Sequence, residues 1–568
     1  MTATNGNAYL AEALKAYGLT HVFMVPTVAV PALAHLDAIG VLAVTTHGEK
    51  AAAYMADGYA RARGGPGVCM AQTIGAANLA AGLRDPYMAG SPVIAITGGT
   101  RPLSRYRHVY QEIEDFPLYE TLTKFNAHVD DVRRLPDMLR QAFREAVSGA
   151  PGPVHLEIQG LAAETLGADL EIDGAAGPLA EEAFTVVPPF RPVADDASVR
   201  RALDLLAAAE RPVIVAGGGV QCSGAGAELT ELAHRLGIPV ATSLNAKGTI
   251  AETDSHAVGV VGSYSRASAN RTVGNADLVF FVGSHTGSQV TDNWRLPAIG
   301  SRVIQLDIDP AELGRNYPNA VSLHGDAQAT LGRMLSLAGG SPGHASWLEM
   351  SAGYVGEFRR SQETRLASDA RPIRPERLCR ELTELLPDDA ILLSDTGHSG
   401  IWTGGLIDLR PGQKYLRCAG TLGWALPAAL GAKCAFPDRP VVAWTGDGGL
   451  YYHLAELETA VRNGINAVIV VNNNRSLSQD MEIFRRSWGG KDKITAVGDK
   501  MWMFDDVNLA NVAADLGCAS FRVESPNDIA VAVKSALEAG RPALVDVVTD
   551  VEALPDPPFG GRDFYASS

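Results

Sequence analysis

Two oxygen-bearing side chains in the last third of the chain have the chemistry of a divalent cation site. Asp447 follows the apolar run Val441–Trp444, and Asn474 follows a second apolar run, Ala467–Val471. The two side chains are 27 positions apart (474 − 447), and Ser476 lies just beyond them with a backbone carbonyl to offer. Mg²⁺ is usually held by few protein oxygens, and its other positions are left to phosphate and water. The pattern therefore predicts that Asp447, Asn474 and Ser476 bind a metal ion.

The segments around these residues must bring them to one place. Each apolar run predicts a strand, and the spacing of apolar residues in Leu454–Asn463 predicts a helix between them. Such a βαβ unit has parallel strands, so the residues that follow both strands meet at the carboxyl edge of one sheet, where α/β folds bind ligands. Gly446, Gly448 and Gly449 have no side chains, so backbone N–H groups could approach a diphosphate there. A plain Asp-Gly turn is the alternative interpretation.

A GDG sequence followed, after such a unit, by NN resembles the cofactor motif of thiamin diphosphate-dependent enzymes, and more closely their acetolactate synthase-like branch. The resemblance implies thiamin diphosphate and Mg²⁺ as cofactors and a small-molecule substrate. It also implies a set of cofactor contacts around the metal: Gly446, Asp447, Gly448, Gly449, Asn474 and Ser476.

The composition limits what else the chain could be. Its 568 residues are 46% hydrophobic and suffice for about three domains. A net charge of −16 argues against a nucleic-acid partner. The N-terminal sequence does not read as a signal peptide, and no run of about 18 apolar residues predicts a membrane span. Six scattered cysteines without a C-x-x-C pair favour a cytoplasmic protein.

Alternating strand-like and helix-like segments predict an α/β fold with three doubly wound parallel-sheet domains. We place these domains at residues 1–165, 190–340 and 370–555, with linkers at residues 161–191 and 337–375. In the family that the chain resembles, they would be the pyrimidine-binding, middle and diphosphate-binding domains. Gln305–Asn316 resembles the end of the family's middle domain.

Glu49 is the candidate acid–base residue. It directly precedes a predicted Ala-rich helix, Lys50–Arg63. Thr46-His47-Gly48-Glu49 also fits a capping box, in which Glu49 would only stabilise the start of the helix. The resemblance implies a catalytic role instead. In the family, this Glu hydrogen-bonds N1′ of the aminopyrimidine and promotes loss of the proton from thiazolium C2, which makes C2 a nucleophile.

Two turns in the third domain are similar to other cofactor-binding elements. Gly420-Thr421-Leu422-Gly423 is similar to the family's GTMG, whose central apolar residue supports the bent cofactor. The resemblance implies that the Gly420 carbonyl accepts from the 4′-amino group and that the Leu422 N–H donates to N3′. A helix-opening turn is the alternative interpretation. Gly397 and His398 match a diphosphate-contacting loop only loosely.

Departures from the family pattern lie where the substrate would bind. The family's YPGGA-like turn is replaced by Val25-Pro26-Thr27-Val28-Ala29, and the β-branched residues at two glycine positions predict a narrower pocket. Gln111 matches the Gln of the family's FQE element, which implies a catalytic role, although an exposed polar loop residue is the alternative. Gly283–Asn293 stands where flavin-binding members carry an RFDDR-like element, so FAD is a doubtful cofactor.

These features predict an enzyme that decarboxylates a 2-oxo acid such as pyruvate and adds the product to a carbonyl acceptor. The alternative is a C–C lyase that cleaves 2-hydroxy ketones or 2-hydroxyacyl-CoA, since such lyases share the cofactor residues and differ in the substrate pocket. A paralogue that only binds the cofactor is a third interpretation, against which Glu49 argues. The resemblance also implies a homodimer or homotetramer, because the family's Glu and diphosphate site belong to different subunits.

Overall fold

The computed structural model describes residues 2–172, 178–340 and 343–555. Within them, three sheets of six parallel strands form the framework, and a two-stranded antiparallel sheet lies beside the first. The strand order of each large sheet is not the chain order, so the predicted α/β class with three doubly wound sheets is confirmed. The limits of the domains stay a prediction. Met1, residues 173–177 of the first predicted linker and residues 341–342 of the second lie outside the described residues.

The N-terminal unit begins with a short strand and alternates strands with helices. Its strands are β1 (Thr2–Asn5), β2 (His21–Met24), β3 (Leu42–Thr45), β4 (Gly67–Ala71), β5 (Val93–Gly99), β6 (Phe125–Val129), β7 (Val154–Gln159) and β8 (Asp169–Ile172). Its helices are α1 (Gly6–Ala16), α2 (Val30–Ala38), α3 (Glu49–Arg63), α4 (Ala76–Ala89), α5 (Phe116–Glu120) and α6 (Leu135–Val147). The sheet order is β3-β2-β4-β5-β7-β6.

Strand β8 corrects the prediction that residues 161–191 form a linker. It pairs with β1 in the antiparallel two-stranded sheet. Leu170 is buried in the core, so this segment is held by apolar burial as well as by strand pairing. A strand this short has too few apolar residues to be recognised from periodicity.

The middle unit has a second parallel sheet of order β11-β10-β9-β12-β13-β14. Its strands are β9 (Pro212–Ala216), β10 (Val240–Thr242), β11 (Ala257–Val260), β12 (Leu278–Val282), β13 (Arg302–Asp307) and β14 (Asn319–His324). Its helices are α7 (Asp196–Ala208), α8 (Gly218–Ser223), α9 (Gly226–Leu236), α10 (Ala267–Asn275) and α11 (Ala327–Leu337), and α12 (Ala345–Leu366) leads to the next unit. β14 and α11 follow Asn316 and lie within the middle domain predicted at residues 190–340, and the resemblance of Gln305–Asn316 to the end of the family's middle domain stays a prediction. β14 is an edge strand in which only Val321 and Leu323 are buried, so its apolar signal is weak.

The C-terminal unit has the third sheet, of order β16-β15-β17-β18-β20-β19. Its strands are β15 (Ile391–Ser394), β16 (Lys414–Arg417), β17 (Val441–Gly446), β18 (Val468–Asn473), β19 (Ala519–Val523) and β20 (Ala543–Val548). Its helices are α13 (Pro375–Leu385), α14 (His398–Leu406), α15 (Ala425–Ala435), α16 (Asp447–Tyr451), α17 (Glu456–Asn463), α18 (Met481–Ser487), α19 (Ala496–Asp499), α20 (Leu509–Asp515) and α21 (Ile529–Leu537). The predicted βαβ unit is confirmed, because β17 and β18 are adjacent and parallel and have Gly446 opposite Asn472.

The N-terminal and C-terminal units share one hydrophobic core, in which α3 packs against α15. The two helix backbones touch. A Cβ on Gly58 would lie 2.0 Å from the Ala428 carbonyl oxygen, and a Cβ on Gly431 would lie 1.8 Å from the Met55 carbonyl oxygen. This contact fixes the position of α3, which begins at Glu49, relative to the third sheet.

No helix among the described residues is long and apolar enough to cross a membrane. All six cysteines lie in the described ranges and are free thiols, and five of them are buried.

Candidate active site

The predicted cation ligands lie together at the carboxyl edge of the third sheet. Asp447 begins α16 directly after β17, and Asn474 and Ser476 follow β18. The Asp447 carboxylate accepts a hydrogen bond from the Ser476 N–H at 2.9 Å, and the Ser476 hydroxyl donates to Asn474 Oδ1 at 3.1 Å. All three residues are buried. The structure thus brings together the residues that the spacing singled out, and their role as metal ligands stays a prediction.

The surroundings of Asp447 suit a cation. Its second oxygen accepts from the Gly448 N–H at 3.0 Å, so the donors that the carboxylate uses are neutral backbone groups. Burial raises the pKa of Asp447 to about 7, because the ionised form is poorly solvated there. A divalent cation would favour the ionised form and offset the cost of the buried charge.

The three glycines around Asp447 differ in their surroundings. A Cβ on Gly448 would lie 2.6 Å from Leu477 Cδ2, and a Cβ on Gly449 would lie 2.5 Å from Thr445 Oγ1. A side chain at either position would displace these neighbours, so packing within the protein already favours glycine there. At Gly446 the nearest atom to an added Cβ, Ser399 Oγ, would be 3.9 Å away, so this position is open. Approach of these backbone groups to a diphosphate stays a prediction.

His398 joins the same cluster. It begins α14, and its Nδ1 lies 2.9 Å from Ser478 Oγ, which also accepts from Asn474 Nδ2 at 2.9 Å. Burial lowers the pKa of His398 to about 4, so its ring is neutral near pH 7. Gly397 has a φ of +68°, and a Cβ there would lie 2.6 Å from Gln479 Oε1. Sequence reasoning missed Ser478, although its place in the polar loop after Asn474 was an available signal.

The turn that contains Gly420 and Leu422 is anchored by a buried carboxylate. Asp395 accepts from the Gly423 N–H and from the Thr445 hydroxyl, at 3.0 Å each. Burial raises the pKa of Asp395 to about 6. In the described part of the chain, no hydrogen bond uses the Gly420 carbonyl or the Leu422 N–H. Sequence reasoning did not single out Asp395, and its place directly after β15 was the signal for it.

Glu49 is the first residue of α3, but it takes no part in a capping box. The N-cap is Gly48, which has no side chain, and the Thr46 hydroxyl donates to the Gly48 carbonyl at 2.9 Å instead of accepting from the helix. The capping-box interpretation is therefore wrong. The Glu49 carboxylate accepts from Asn78 Nδ2 at 3.3 Å. A Cβ on Gly75 would lie 2.4 Å from Glu49 Oε1, so this glycine leaves room for the carboxylate.

Positive φ angles occur at three residues that the sequence analysis placed near the substrate. They are Thr27 (+85°), Ala29 (+46°) and Gln111 (+60°). Such angles are uncommon outside glycine and are unfavourable for a β-branched residue such as Thr27. Val28 is fully buried in the core, so it does not line a pocket, and the predicted narrowing is left to the exposed Thr27. Gln111 forms no described hydrogen bond with Glu49, and its catalytic role stays a prediction.

In the described part of the chain, no hydrogen bond or ion pair links Glu49 to the turn that contains Leu422. α3 reaches that turn through Asp57, which accepts from Trp424 Nε1 at 2.8 Å. Asp57 follows Glu49 by eight residues (57 − 49), or about 12 Å along a helix. Among the described residues, no hydrogen bond or ion pair links Glu49 to Asp447. The acid–base candidate and the cation cluster therefore do not form one site by direct contact in a single chain.

A different cavity, of about 730 Å³, opens at the carboxyl edge of the middle sheet. Asp307 and Asp309, which end β13 and follow it, lie in its wall. Lys124 is the one lysine or arginine of the described residues in this wall. Its ammonium already donates to the Ser148 and Ala150 carbonyls at 2.7 Å each. The cavity is therefore large but poor in available positive charge.

The three units match three family models in chain order. Residues 4–118 match the N-terminal TPP binding domain of thiamine pyrophosphate (TPP) enzymes, residues 199–334 the central domain, and residues 395–547 the C-terminal TPP binding domain. Thiamine pyrophosphate is another name for thiamin diphosphate. The chain belongs to the thiamine pyrophosphate enzyme family.

Relatives along most of the chain carry one name. A probable acetolactate synthase large subunit of Methanocaldococcus jannaschii is 32% identical over 574 residues, which cover 98% of this chain and 94% of the relative. The acetolactate synthase large subunit of Corynebacterium glutamicum is 30% identical over 521 residues (89% and 80%), and the acetolactate synthase isozyme 1 large subunit of Escherichia coli is 28% identical over 516 residues (89% and 86%). The chain is an acetolactate synthase-like enzyme that depends on thiamin diphosphate, so the predicted family and enzyme class are confirmed.

Proposed function

We propose that the chain decarboxylates a 2-oxo acid such as pyruvate and adds the product to a second carbonyl compound, with thiamin diphosphate and Mg²⁺ as cofactors. The observation that carries this proposal is the buried cluster of Asp447, Asn474 and Ser476 at a parallel-sheet edge. The names of its relatives, acetolactate synthases, support the same reaction class.

The residues present fit this cofactor pair. Asp447, Asn474 Oδ1 and the Ser476 carbonyl, which accepts no described hydrogen bond, would hold the cation that binds the diphosphate. The Gly420 carbonyl and the Leu422 N–H are available for the aminopyrimidine. Thiamin diphosphate bound there would supply an acidic carbon and an electron sink for breaking a bond next to a carbonyl group.

Glu49 would be the general acid–base group at the aminopyrimidine. Its carboxyl group would hydrogen-bond N1′ and exchange a proton with it, as a general acid–base group must do within hydrogen-bond reach. Asn78 would keep the carboxylate oriented through its 3.3 Å hydrogen bond, and Gly75 would leave the space that the carboxylate needs.

We infer that a complete site takes Glu49 from one subunit and Asp447 from another. The lack of any described hydrogen bond or ion pair from Glu49 to Asp447 or to the Leu422 turn within one chain supports this arrangement. Large apolar side chains next to both parts also support it: Ile74 beside Gly75 is 44% exposed, and Tyr452 near the end of α16 is 58% exposed. Exposed apolar surface of this kind is what a subunit interface covers. A two-fold dimer would contain two such sites.

The proposed metal role has a direct test in Asp447→Ala. Removal of the buried carboxylate leaves the cation with an amide and a carbonyl oxygen, so we expect the variant to lose Mg²⁺-dependent retention of thiamin diphosphate. Equilibrium dialysis with Mg²⁺ measures this retention. Cofactor binding equal to that of the parent protein would refute the metal assignment.

The reaction is tested with a substrate panel. The purified protein is incubated with thiamin diphosphate, Mg²⁺ and pyruvate, and CO₂ release and acetolactate formation are measured. We expect both. Cleavage of 2-hydroxy ketones or 2-hydroxyacyl-CoA without carboligation would favour the lyase alternative, for which the exposed β-branched Thr27 in a family glycine position is the supporting observation.

FAD is not part of the proposed activity. The middle-sheet cavity has the volume for a large ligand, but its wall presents Asp307 and Asp309 and leaves the Lys124 ammonium engaged with two carbonyls. A dinucleotide diphosphate is best held by positive charge, and this wall offers neutral donors such as Asn245 and Gln289 but, among the described residues, no lysine or arginine other than Lys124. A flavin absorption spectrum in the protein purified from its native host would contradict this exclusion.

A further inference from the structure

We propose that Asp85 is a positioning residue for the cofactor: it holds residues 419–421 so that the Gly420 carbonyl and the Leu422 N–H are presented to the aminopyrimidine. The inference rests on the proposed function and adds to it a residue of the N-terminal unit, on α4, that acts on a turn of the C-terminal unit.

The Asp85 carboxylate accepts hydrogen bonds from every backbone N–H of residues 419–421 and from the Thr421 hydroxyl. Its Oδ1 accepts from the Ala419 N–H at 2.8 Å. Its Oδ2 accepts from the Gly420 N–H at 3.2 Å, the Thr421 N–H at 3.1 Å and the Thr421 hydroxyl at 2.7 Å. Asp85 is fully buried. A buried carboxylate with this many donors is held in one position, and so is the backbone that supplies them.

The charge of Asp85 is balanced inside the protein. Arg61 donates to Asp85 Oδ1 at 2.9 Å and to Asp57 Oδ2 at 2.8 Å through the same nitrogen. Both carboxylates are fully buried, and 13% of the Arg61 side chain is exposed. Hydrogen bonds to an ionised acceptor are stronger than those between neutral groups. Asp85 therefore holds the turn through a carboxylate that is ion-paired with Arg61.

The hydrogen bond from the Thr421 N–H to Asp85 also fixes the direction of the Gly420 carbonyl, because both groups belong to one planar peptide group. In a trans peptide, the carbonyl of one residue and the N–H of the next point in opposite directions. Because the Thr421 N–H points at Asp85, the Gly420 carbonyl points away from it. That carbonyl accepts no hydrogen bond in the described structure, as expected for a group reserved for a ligand.

A second carboxylate fixes the other end of the turn. Asp395 accepts from the Gly423 N–H at 3.0 Å. The Leu422 N–H thus lies between a segment held by Asp85 and a residue held by Asp395, and it has no described acceptor of its own. The two anchors come from different units, so the turn's geometry depends on the contact between those units.

The test compares Asp85→Asn with Asp57→Asn. Asp85→Asn places an amide N–H₂ where only acceptors fit, so the turn should loosen. Asp57→Asn weakens the same buried charge cluster but leaves in place the four hydrogen bonds from residues 419–421 to Asp85, and serves as the matched control. Thermal unfolding establishes that each variant is folded.

Three readouts are taken on each folded variant. The first is hydrogen–deuterium exchange of the backbone amides at residues 419–423, by mass spectrometry, in protein without cofactor. The second is the Kd of thiamin diphosphate with saturating Mg²⁺. The third is proton–deuterium exchange at C2 of the bound cofactor. For Asp85→Asn we expect amide exchange at least about ten-fold faster. C2 exchange should be about 10- to 10²-fold slower, since a misplacement of the cofactor by about 1 Å can lower a rate that much. The Kd should change less, because the diphosphate is held at Asp447.

Several results would overturn the proposal. Parent-like amide and C2 exchange in Asp85→Asn would show that the turn does not need this carboxylate. Equal effects in Asp57→Asn would assign the loss to the charge cluster and not to the turn. If Asp85→Asn does not fold, Thr421→Val removes one donor to Asp85, and C2 exchange should slow several-fold. Parent-like C2 exchange in that variant would then overturn the proposal.

The proposed function fails separately. If the parent protein binds thiamin diphosphate but does not exchange C2, the proposed activity is wrong. The amide exchange of residues 419–423 in Asp85→Asn still decides whether Asp85 anchors the turn, because that measurement needs no cofactor.

Discussion

Three buried carboxylates, Asp85, Asp395 and Asp447, organise the candidate site by accepting backbone N–H groups. Burial raises the pKa of Asp395 to about 6 and of Asp447 to about 7, which shows how unfavourable bare negative charge is at this edge. Sequence alone indicates Asp447, because it follows an apolar run and precedes glycines. It does not indicate Asp85, whose partners are 334 to 336 positions away in the chain.

The first prediction at this scale concerns Glu49→Gln. Because Glu49 caps no helix, the change should remove only its favourable interaction with the helix dipole, about 0.3–1 kcal/mol. The Gln oxygen can still accept from Asn78, so folding and cofactor binding should stay near those of the parent. Gln cannot exchange a carboxyl proton with N1′, so C2 exchange of the bound cofactor should slow by about 10²–10⁴.

The measurement is proton–deuterium exchange at C2, which does not require the substrate to be known. Asn78→Ala is the matched control, because it removes the orienting hydrogen bond but keeps the carboxyl group, and it should slow exchange much less. Exchange in Glu49→Gln at the parent rate would remove the acid–base role and the main support for catalysis at this site.

A second residue-scale prediction concerns pH and Glu157. Glu157 is 5% exposed at the end of β7, and burial raises its pKa to about 7, above the ordinary value of about 4.3 in an unfolded chain. The folded state therefore holds the proton more tightly than the unfolded state. Stability from this group is present at low pH and is lost as the pH rises from about 4.3 through 7.

Glu157→Gln keeps the neutral form at every pH. We expect the variant to be more stable than the parent by about 1–3 kcal/mol at pH 8 and to match it near pH 4. Urea unfolding at the two pH values checks this. An advantage of the same size at both would show that packing, and not ionisation, is responsible.

At the scale of elements, α3 connects the first and third sheets. It begins at Glu49 and packs against α15, with glycines at both points of closest approach. The parallel strands β17 and β18 were predictable from continuous apolar runs, because a strand buried on both faces needs them. The edge strands β8 and β14 were not, because short, partly exposed strands have little periodicity.

The local sequence around Glu49 explains one wrong prediction. Thr46-His47-Gly48-Glu49 has the residue types of a capping box, but the helix starts two residues too late for it, with Gly48 and not Thr46 as N-cap. The Thr46 hydroxyl donates to the Met24 and Gly48 carbonyls instead. Contacts with the neighbouring strand determine which residue is the N-cap, and four residues of sequence do not show those contacts.

The element-scale prediction tests the crossing of α3 and α15. In Gly58→Ala, the new Cβ would lie 2.0 Å from the Ala428 carbonyl oxygen, so the helices must move apart. Overpacking of this kind costs about 1–3 kcal/mol or more. We expect a lower Tm and reduced cofactor binding, because α3 and the Leu422 turn shift relative to each other.

The matched control is Gly353→Ala in α12, where an added Cβ would meet no atom within 4 Å. This change should raise stability by up to about 1 kcal/mol, since Ala is the better helix former. Differential scanning calorimetry of both variants checks the pair. A Gly58→Ala variant as stable as the parent would contradict the close helix contact.

At the scale of the whole molecule, membership of the family identifies the cofactor but not the substrate. In the proposed function, substrate choice depends on residues at the edge of the N-terminal unit. There, Thr27 is exposed and Gln111 is half-buried, and both have positive φ angles. The sequence indicated that this turn departs from the family, but not that Val28 faces the core. The pocket is completed by a second subunit in the proposed arrangement, and a single sequence contains no direct record of that contact.

The central claim is that one active site contains Glu49 of one subunit and Asp447 of its partner. Subunits carrying Glu49→Gln and subunits carrying Asp447→Ala are mixed with different affinity tags, and hybrids are isolated with both tags. Each variant alone should be inactive. In a hybrid, one site carries both changes and the other is intact, so isolated hybrids should recover about one half of parent C2 exchange. Isolated hybrids that show no recovery would place both residues in the site of a single chain and contradict the account.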